Sequence, residues 1–65
     1  MIDLAKIKSL REKLGLTQDD AAMRAGFASR QRWNDIESGR KASVTVNTLE
    51  QIAKALGVKG KDLLK

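Results

Sequence analysis

The chain has 65 residues, with 13 lysines and arginines, 8 aspartates and glutamates, and a formal net charge of +5 at pH 7. A chain of this length forms one domain, here expected to span residues 1–65, and buries only about 60% of the surface that its unfolded form exposes. It contains no cysteine and no histidine. That composition excludes a disulfide framework, a thiolate nucleophile, a histidine base and an ordinary zinc site. We therefore expect no enzymatic activity, no cofactor and no metal site.

The excess of positive charge attracts polyanions but does not identify one. The longest apolar runs are only a few residues long, so no membrane span is expected. The N-terminus also lacks the apolar core of a signal peptide. The cytoplasm is the expected location, and the sequence gives no evident sign of a small-molecule ligand.

Glycines divide the chain into stretches in which apolar residues recur three or four positions apart. The glycines that follow such stretches are Gly15, Gly26, Gly39 and Gly57. This punctuation, without any proline, predicts an all-α fold, a compact bundle of four to five short helices. The first helix is predicted from the N-cap Asp3 to Leu14. Its apolar stripe consists of Leu4, Ile7, Leu10 and Leu14.

The middle of the chain predicts two short helices joined by a tight turn. Thr17 is the expected N-cap of the second helix and forms a near capping box with Asp20. Gly26 ends that helix, and about three residues later Ser29 is expected to cap a third helix that Gly39 closes. A turn this short fixes the crossing angle of the two helices, so residues 17–38 are predicted to form a helix-turn-helix.

The third helix has a narrow apolar side and a broad polar side. At about 100° per residue, Trp33 and Ile36 share one side. The opposite side carries Gln31, Asn34, Asp35 and Ser38, flanked by Arg30 and Arg32. A helix of this kind must lie on a scaffold with its polar side outward. We expect Trp33 in the core.

The remainder of the chain predicts a loop and a fourth helix. The helix begins near Val46, capped by Thr45 or by Asn47, of which Asn47 with Glu50 forms the better capping box. Its apolar stripe consists of Leu49, Ile52, Ala53 and Leu56. After Gly57, a final helical turn is expected over residues 61–64, with Leu63 and Leu64 covering the base of the bundle.

Several segments in this order carry a family resemblance that covers nearly the whole chain. They are Leu10-Arg11, Gly15-Leu16-Thr17-Gln18, Ala22, Ala25-Gly26, Ile36-Glu37-Ser38-Gly39-Arg40-Lys41 and the stretch from Thr48 to Val58. The chain resembles the helix-turn-helix domains of the lambda-type phage repressors and Cro proteins, the XRE family. The resemblance implies a repressor-like transcriptional regulator that binds double-stranded DNA sequence-specifically, with the third helix in the major groove.

The resemblance assigns roles to individual side chains. Those expected to contact bases are Arg30, Gln31 and Asn34, because a guanidinium can pair with guanine and an amide with adenine. Those expected to contact phosphates are Thr17, Gln18, Arg32, Arg40, Lys41 and Ser43. Gln18 is also expected to steady the first residue of the third helix. Asp35 either accepts a hydrogen bond from cytosine N4 or stays in water, and we favour the second. A partly buried ion pair between Arg11 and Glu37 is implied as a structural element.

Members of this family usually bind pseudo-palindromic operators as homodimers with half-sites about 34 Å apart. A possible dimer surface consists of Leu56, Val58, Lys59, Leu63 and Leu64. The same leucines could instead close the core of the monomer. The alternative function is a helical protein-interaction module, such as an antitoxin or a partner-docking domain, in which DNA binding is weak or lost.

Overall fold

The computed structural model describes residues 2–40 and 44–64. Within them the chain forms four α-helices and a C-terminal 3₁₀ helix, so the all-α prediction is confirmed. The elements are α1 (Leu4–Lys13), α2 (Gln18–Ala25), α3 (Arg30–Glu37), α4 (Val46–Leu56) and the 3₁₀ helix (Gly60–Leu63). They pack into a body of about 24 × 21 × 18 Å.

The first two helices begin at the predicted caps. The Asp3 carboxylate accepts a hydrogen bond of 3.1 Å from the Lys6 amide and caps α1. At α2 the complete capping box is present, since the Thr17 hydroxyl accepts from the Asp20 amide and the Asp20 carboxylate accepts from the Thr17 amide. These bonds satisfy amides that have no partner inside a helix. Local sequence therefore determines where α1 and α2 start.

The turn between α2 and α3 reverses the chain at Gly26. Its φ of +81° lies in the left-handed region, which glycine adopts without steric cost. The Phe27 amide donates to the Ala22 carbonyl at 2.9 Å and closes the end of α2. The predicted cap at the start of α3 is wrong in part: Ser29 has the extended backbone of an N-cap, but its hydroxyl makes no capping hydrogen bond. Tertiary contacts of α3 fix its position instead.

The start of α4 also differs from the preferred prediction. Thr45, and not Asn47, is the N-cap, and its hydroxyl accepts from the Thr48 amide at 3.1 Å. The Thr45 and Thr48 hydroxyls are hydrogen-bonded to each other at 2.9 Å, and Thr48 is buried. Asn47 lies inside the first turn, so the box with Glu50 cannot form. The buried partner at position 48 selects the threonine cap.

All four α-helices and the 3₁₀ helix contribute to one core. Its largest fully buried side chains are Trp33, Ile7, Ile52 and Leu63. Buried alanines on α2 allow close approach of the neighbouring helices. Two expectations were wrong: Leu14, the C-cap of α1, is 51% exposed, and Leu64 is 46% exposed. Of Leu63 and Leu64, only Leu63 is buried and closes the base of the bundle.

The two ends of the described chain lie side by side. Ile2 and Leu64 form an isolated antiparallel bridge, and the Asp3 amide donates to the Leu63 carbonyl at 2.7 Å. This contact ties the start of α1 to the 3₁₀ helix. Among the residues that the structure describes, no helix combines the length and the apolar character needed to cross a membrane.

Candidate nucleic-acid interface

The two sides of α3 differ sharply in burial. Trp33 and Ile36 are 1% and 4% exposed, whereas Arg30 and Gln31 are exposed. Helix α3 lies against α2 and α1, with its polar side facing away from the core. The helical periodicity predicted this orientation. An outward face with arginine and amide side chains is thus held on a rigid scaffold.

Arg11 and Glu37 lock α3 to α1. The Arg11 Nε and Nη2 atoms donate to the two Glu37 carboxylate oxygens at 2.9 and 3.0 Å, and Arg11 Nη1 donates to the Leu16 carbonyl at 2.8 Å. The Trp33 indole nitrogen donates to Glu37 Oε2 at 2.6 Å. The side chains of Arg11 and Glu37 are only 12% and 6% exposed. Arg11 and Glu37 thus form the structural ion pair that the family resemblance implied.

This arrangement shifts the ionisation of both partners toward the charged form. Burial raises the pKa of Glu37, but the hydrogen bonds from Arg11 and Trp33 and the Arg11 charge outweigh it, so the pKa lies below its ordinary value. The hydrogen bond to Glu37 raises the pKa of Arg11 against the opposing effect of burial. Both groups are therefore charged at neutral pH, and the Glu37 charge is compensated within the fold.

Gln18 joins the start of α2 to the polar side of α3. Its side-chain nitrogen donates to the Asn34 side-chain oxygen at 3.1 Å. The expectation that Gln18 steadies the first residue of α3 is therefore wrong, since its partner is one turn further along the helix. With its oxygen engaged, Asn34 retains its amide nitrogen for a further partner. The bond fixes α3 relative to the N-terminus of α2.

Gln31, Asp35 and Arg40 form a chain of contacts on the outward side of α3. The Gln31 amide nitrogen donates to Asp35 Oδ1 at 2.8 Å. The guanidinium of Arg40 lies 3.9 Å from the same oxygen and is 71% exposed, while the Asp35 side chain is 24% exposed. Asp35 is therefore not simply hydrated, as the sequence suggested, but contacts two residues of the candidate interface.

Arg32 turns toward the body of the protein. Its guanidinium carbon lies 5.2 Å from the centre of the Phe27 ring, a cation–π arrangement. Its Nη2 atom donates to the buried Thr48 hydroxyl at 3.4 Å. The Phe27 ring packs in turn on Trp33, with ring centres 6.2 Å apart. Arg32 therefore connects the turn before α3 with the start of α4, although the residue as a whole is exposed.

The remaining expected phosphate contacts are distributed around α3. Thr17 is exposed at the N-terminus of α2, where its amide already donates to Asp20. Arg40 comes shortly after the end of α3, and its amide donates to the Asp35 carbonyl at 2.9 Å. Lys41 and Ser43 lie outside the described residues. Among those that are described, no group of three or more acidic, histidine or cysteine side chains could hold a metal ion.

The residues proposed for a dimer surface do not share one environment. Leu56 and Leu63 are 4% and 0% exposed within the chain itself, so they close the core and present no surface to a second copy. Val58 is partly buried, whereas Lys59 and Leu64 are exposed. The predicted surface is therefore wrong for the two buried leucines.

A family model described as a helix-turn-helix domain matches residues 5–64. The chain belongs to the helix-turn-helix domain family. The lambda-type, XRE-like resemblance of the sequence agrees with this assignment. This helix-turn-helix domain is 44% identical over 55 residues to the uncharacterized HTH-type transcriptional regulator y4dJ of Sinorhizobium fredii (strain NBRC 101917 / NGR234). That match covers 85% of the chain and 69% of the relative. No solved structure matches the chain significantly.

Among the described residues of this helix-turn-helix domain, several contacts were not predicted from the sequence, and three of them differ in whether a local pattern could have indicated them. The bond from Trp33 to Glu37 was detectable, because residues four apart on a helix are neighbours. The bond from Gln31 to Asp35 has the same spacing and carried the same signal. The contact of Arg32 with Thr48 joins separate elements, so no local pattern could have indicated it.

Proposed function

We propose that this domain binds double-stranded DNA sequence-specifically and regulates transcription as a repressor. The observation that supports the proposal best is the orientation of α3, whose buried Trp33 leaves Gln31 exposed on the opposite side and Arg30 exposed on its flank. The width of the B-DNA major groove admits an α-helix, and its base edges pair with these side chains. The name of the Sinorhizobium fredii relative, an HTH-type transcriptional regulator, agrees with this role.

The base-reading residues in this proposal are Arg30, Gln31 and Asn34. Arg30 can pair with O6 and N7 of guanine, and Gln31 with N6 and N7 of adenine. Asn34 has its oxygen engaged by Gln18, so we assign it one donated hydrogen bond to a base acceptor and not a bidentate pair. Arg30 and Gln31 therefore carry most of the discrimination.

The phosphate contacts in this proposal come from both sides of α3. Arg40 is the strongest described candidate because it is 71% exposed and next to the end of α3. At the N-terminus of α2, the Thr17 backbone amide already donates to the Asp20 carboxylate. The Thr17 hydroxyl and the Gln18 backbone amide are left to donate to a phosphate. Arg32 stays in this set because the residue is exposed and its guanidinium has nitrogens other than the one that donates to Thr48. Lys41 and Ser43 extend this set beyond the described residues.

The operator in this proposal is a pseudo-palindrome bound by two copies of the chain. A body with a longest dimension of 24 Å matches one half-site of a pair spaced by about 34 Å. Because Leu56 and Leu63 are buried, the contact between the copies is assigned to Val58, Lys59 and Leu64. Association on DNA is expected even where the free protein is monomeric.

Binding to a random-sequence duplex across a salt series tests the proposal. Affinity should fall linearly on a logarithmic plot, with a slope of about −0.9 for each phosphate contacted. Arg40→Ala should reduce that slope by about 1. The matched control is Lys8→Ala, which removes an exposed cation from α1 and should leave the slope unchanged. Absence of binding at low salt would overturn the proposal and favour a protein-docking module.

A further inference from the structure

The hydrogen bond between Gln31 and Asp35 limits the orientations that the Gln31 side-chain amide can adopt on the base-reading surface. The Gln31 side-chain nitrogen donates to Asp35 Oδ1 at 2.8 Å, from one helical turn away on the same side of α3. The Arg40 guanidinium lies near the same carboxylate oxygen. Asp35 is half-buried between these two side chains, so its carboxylate has a defined position.

The chemistry of a carboxylate decides which way the Gln31 amide points. An ionised carboxylate accepts hydrogen bonds and cannot donate them, whereas an amide side chain has a donor end and an acceptor end. The NH₂ group of Gln31 must therefore face Asp35. One of its two N–H bonds is used there, which leaves a second N–H and the oxygen Oε1 for a base.

We infer that Asp35 is a positioning residue that makes Gln31 selective for adenine over guanine. The inference rests on the proposed DNA-binding function. Adenine presents an acceptor at N7 beside a donor at N6, which match the free N–H and Oε1 of the oriented amide. Guanine presents acceptors at both N7 and O6, so one of them would face the Gln31 oxygen. Without Asp35, the amide could turn and donate both N–H bonds to guanine.

The position of Arg40 makes a carboxylate tolerable on a surface that meets DNA. A negative side chain alone would repel phosphates and weaken binding to every sequence. The guanidinium beside Asp35 offsets that charge while it remains exposed. Removal of the Asp35 charge should therefore affect all duplexes alike, whereas removal of its orienting effect should change the ratio of affinities between adenine and guanine duplexes.

The experiment first locates the base pair that Gln31 reads. Duplexes bound by the wild-type protein are selected from a random pool, and Gln31→Ala identifies the position at which the base preference disappears. Two duplexes that differ only by adenine or guanine at that position are then titrated by fluorescence anisotropy. The measured quantity is the ratio of the two dissociation constants, compared among the wild type and its variants.

Three substitutions at position 35 separate orientation from charge. Asp35→Ala should lower the preference for adenine by about two- to twelvefold, the range that corresponds to ordering one flexible side chain. Asp35→Asn keeps the shape but can also donate, so it should lower the preference similarly. Asp35→Glu keeps an acceptor without a donor and should retain it. Glu50→Gln, which removes an exposed charge from α4, should shift both affinities without changing their ratio.

An unchanged ratio in both Asp35→Ala and Asp35→Asn would overturn the inference and leave the proposed function intact. The inference would also be overturned, with the proposed function intact, if the wild type prefers a base other than adenine at the position where Gln31→Ala abolishes the preference. Failure of the wild-type protein to select any sequence would overturn the proposed function and the inference together. Circular dichroism of each variant verifies that the helical content is retained.

Discussion

Loss of the Glu37 carboxylate should destabilise the fold severely. In Glu37→Ala, three donors lose their acceptor: Nε and Nη2 of Arg11 and the indole nitrogen of Trp33. Both charged side chains are nearly buried, so the remaining guanidinium has lost its counter-charge and keeps only its hydrogen bond to the Leu16 carbonyl. Breaking a buried pair by removing one partner costs about 3–5 kcal/mol. A chain of this length has a total stability of about 3–10 kcal/mol.

Unfolding in urea, followed by far-UV circular dichroism, measures this loss. Glu37→Ala should be at least about 3 kcal/mol less stable than the wild type, equivalent to a melting temperature about 12–24 °C lower. Glu37→Gln keeps the shape and one acceptor, so its loss should be nearer 1.5–3 kcal/mol, roughly that of a hydrogen bond to a charged group.

Replacement of both charges tests whether the loss comes from the unpaired cation. Arg11→Met combined with Glu37→Leu should be at least as stable as Glu37→Leu alone, because the double variant leaves no guanidinium without a partner. A loss below about 1 kcal/mol in Glu37→Ala would match an exposed ion pair and would refute the reasoning. The losses of stability in Arg11→Met alone and in Glu37→Leu alone could also simply add up in the double variant. That result would contradict the explanation by an unpaired cation.

Three further predictions follow from other features. The lowered pKa of Glu37 contributes stability that is present above its ordinary value of 4.5 and is lost as pH falls through the lower folded value. Acid unfolding should therefore show a steeper loss below about pH 4.5 in the wild type than in Glu37→Gln. Gly26→Ala should cost about 1–3 kcal/mol in thermal unfolding, since φ at this position is +81°; a neutral result would show that the turn relaxes. Arg30→Ala should relax one base preference in a sequence selection and cost about 1–3 kcal/mol on the preferred duplex; an unchanged preference would remove Arg30 from the base-reading set.

The helices and most of their ends were predictable because their signals are local. The capping residues Asp3 and Thr17 act through partners three positions away, and Gly26 acts through its own backbone. The burial of Trp33 followed from periodicity within α3. Each of these predictions depended on residues within one or two helical turns.

The expectations that were wrong depended on contacts between elements. Thr45 and Asn47 were both plausible caps, and the choice between them depends on the buried hydroxyl of Thr48. Gln18 had several polar residues within reach on α3, and only the crossing angle decides that Asn34 is its partner. Leu63 and Leu64 are chemically identical, so their burial depends on the rotation of the 3₁₀ helix.

The central claim is that the outward side of α3 meets DNA. Backbone amide chemical shifts, followed by NMR during titration with a selected duplex, test it residue by residue. We expect the largest changes at Arg30, Gln31 and Asn34 and at the N-terminus of α2, with little change around Lys8 on α1. Changes concentrated on α1 or on the exposed side of α4, with α3 unaffected, would contradict it.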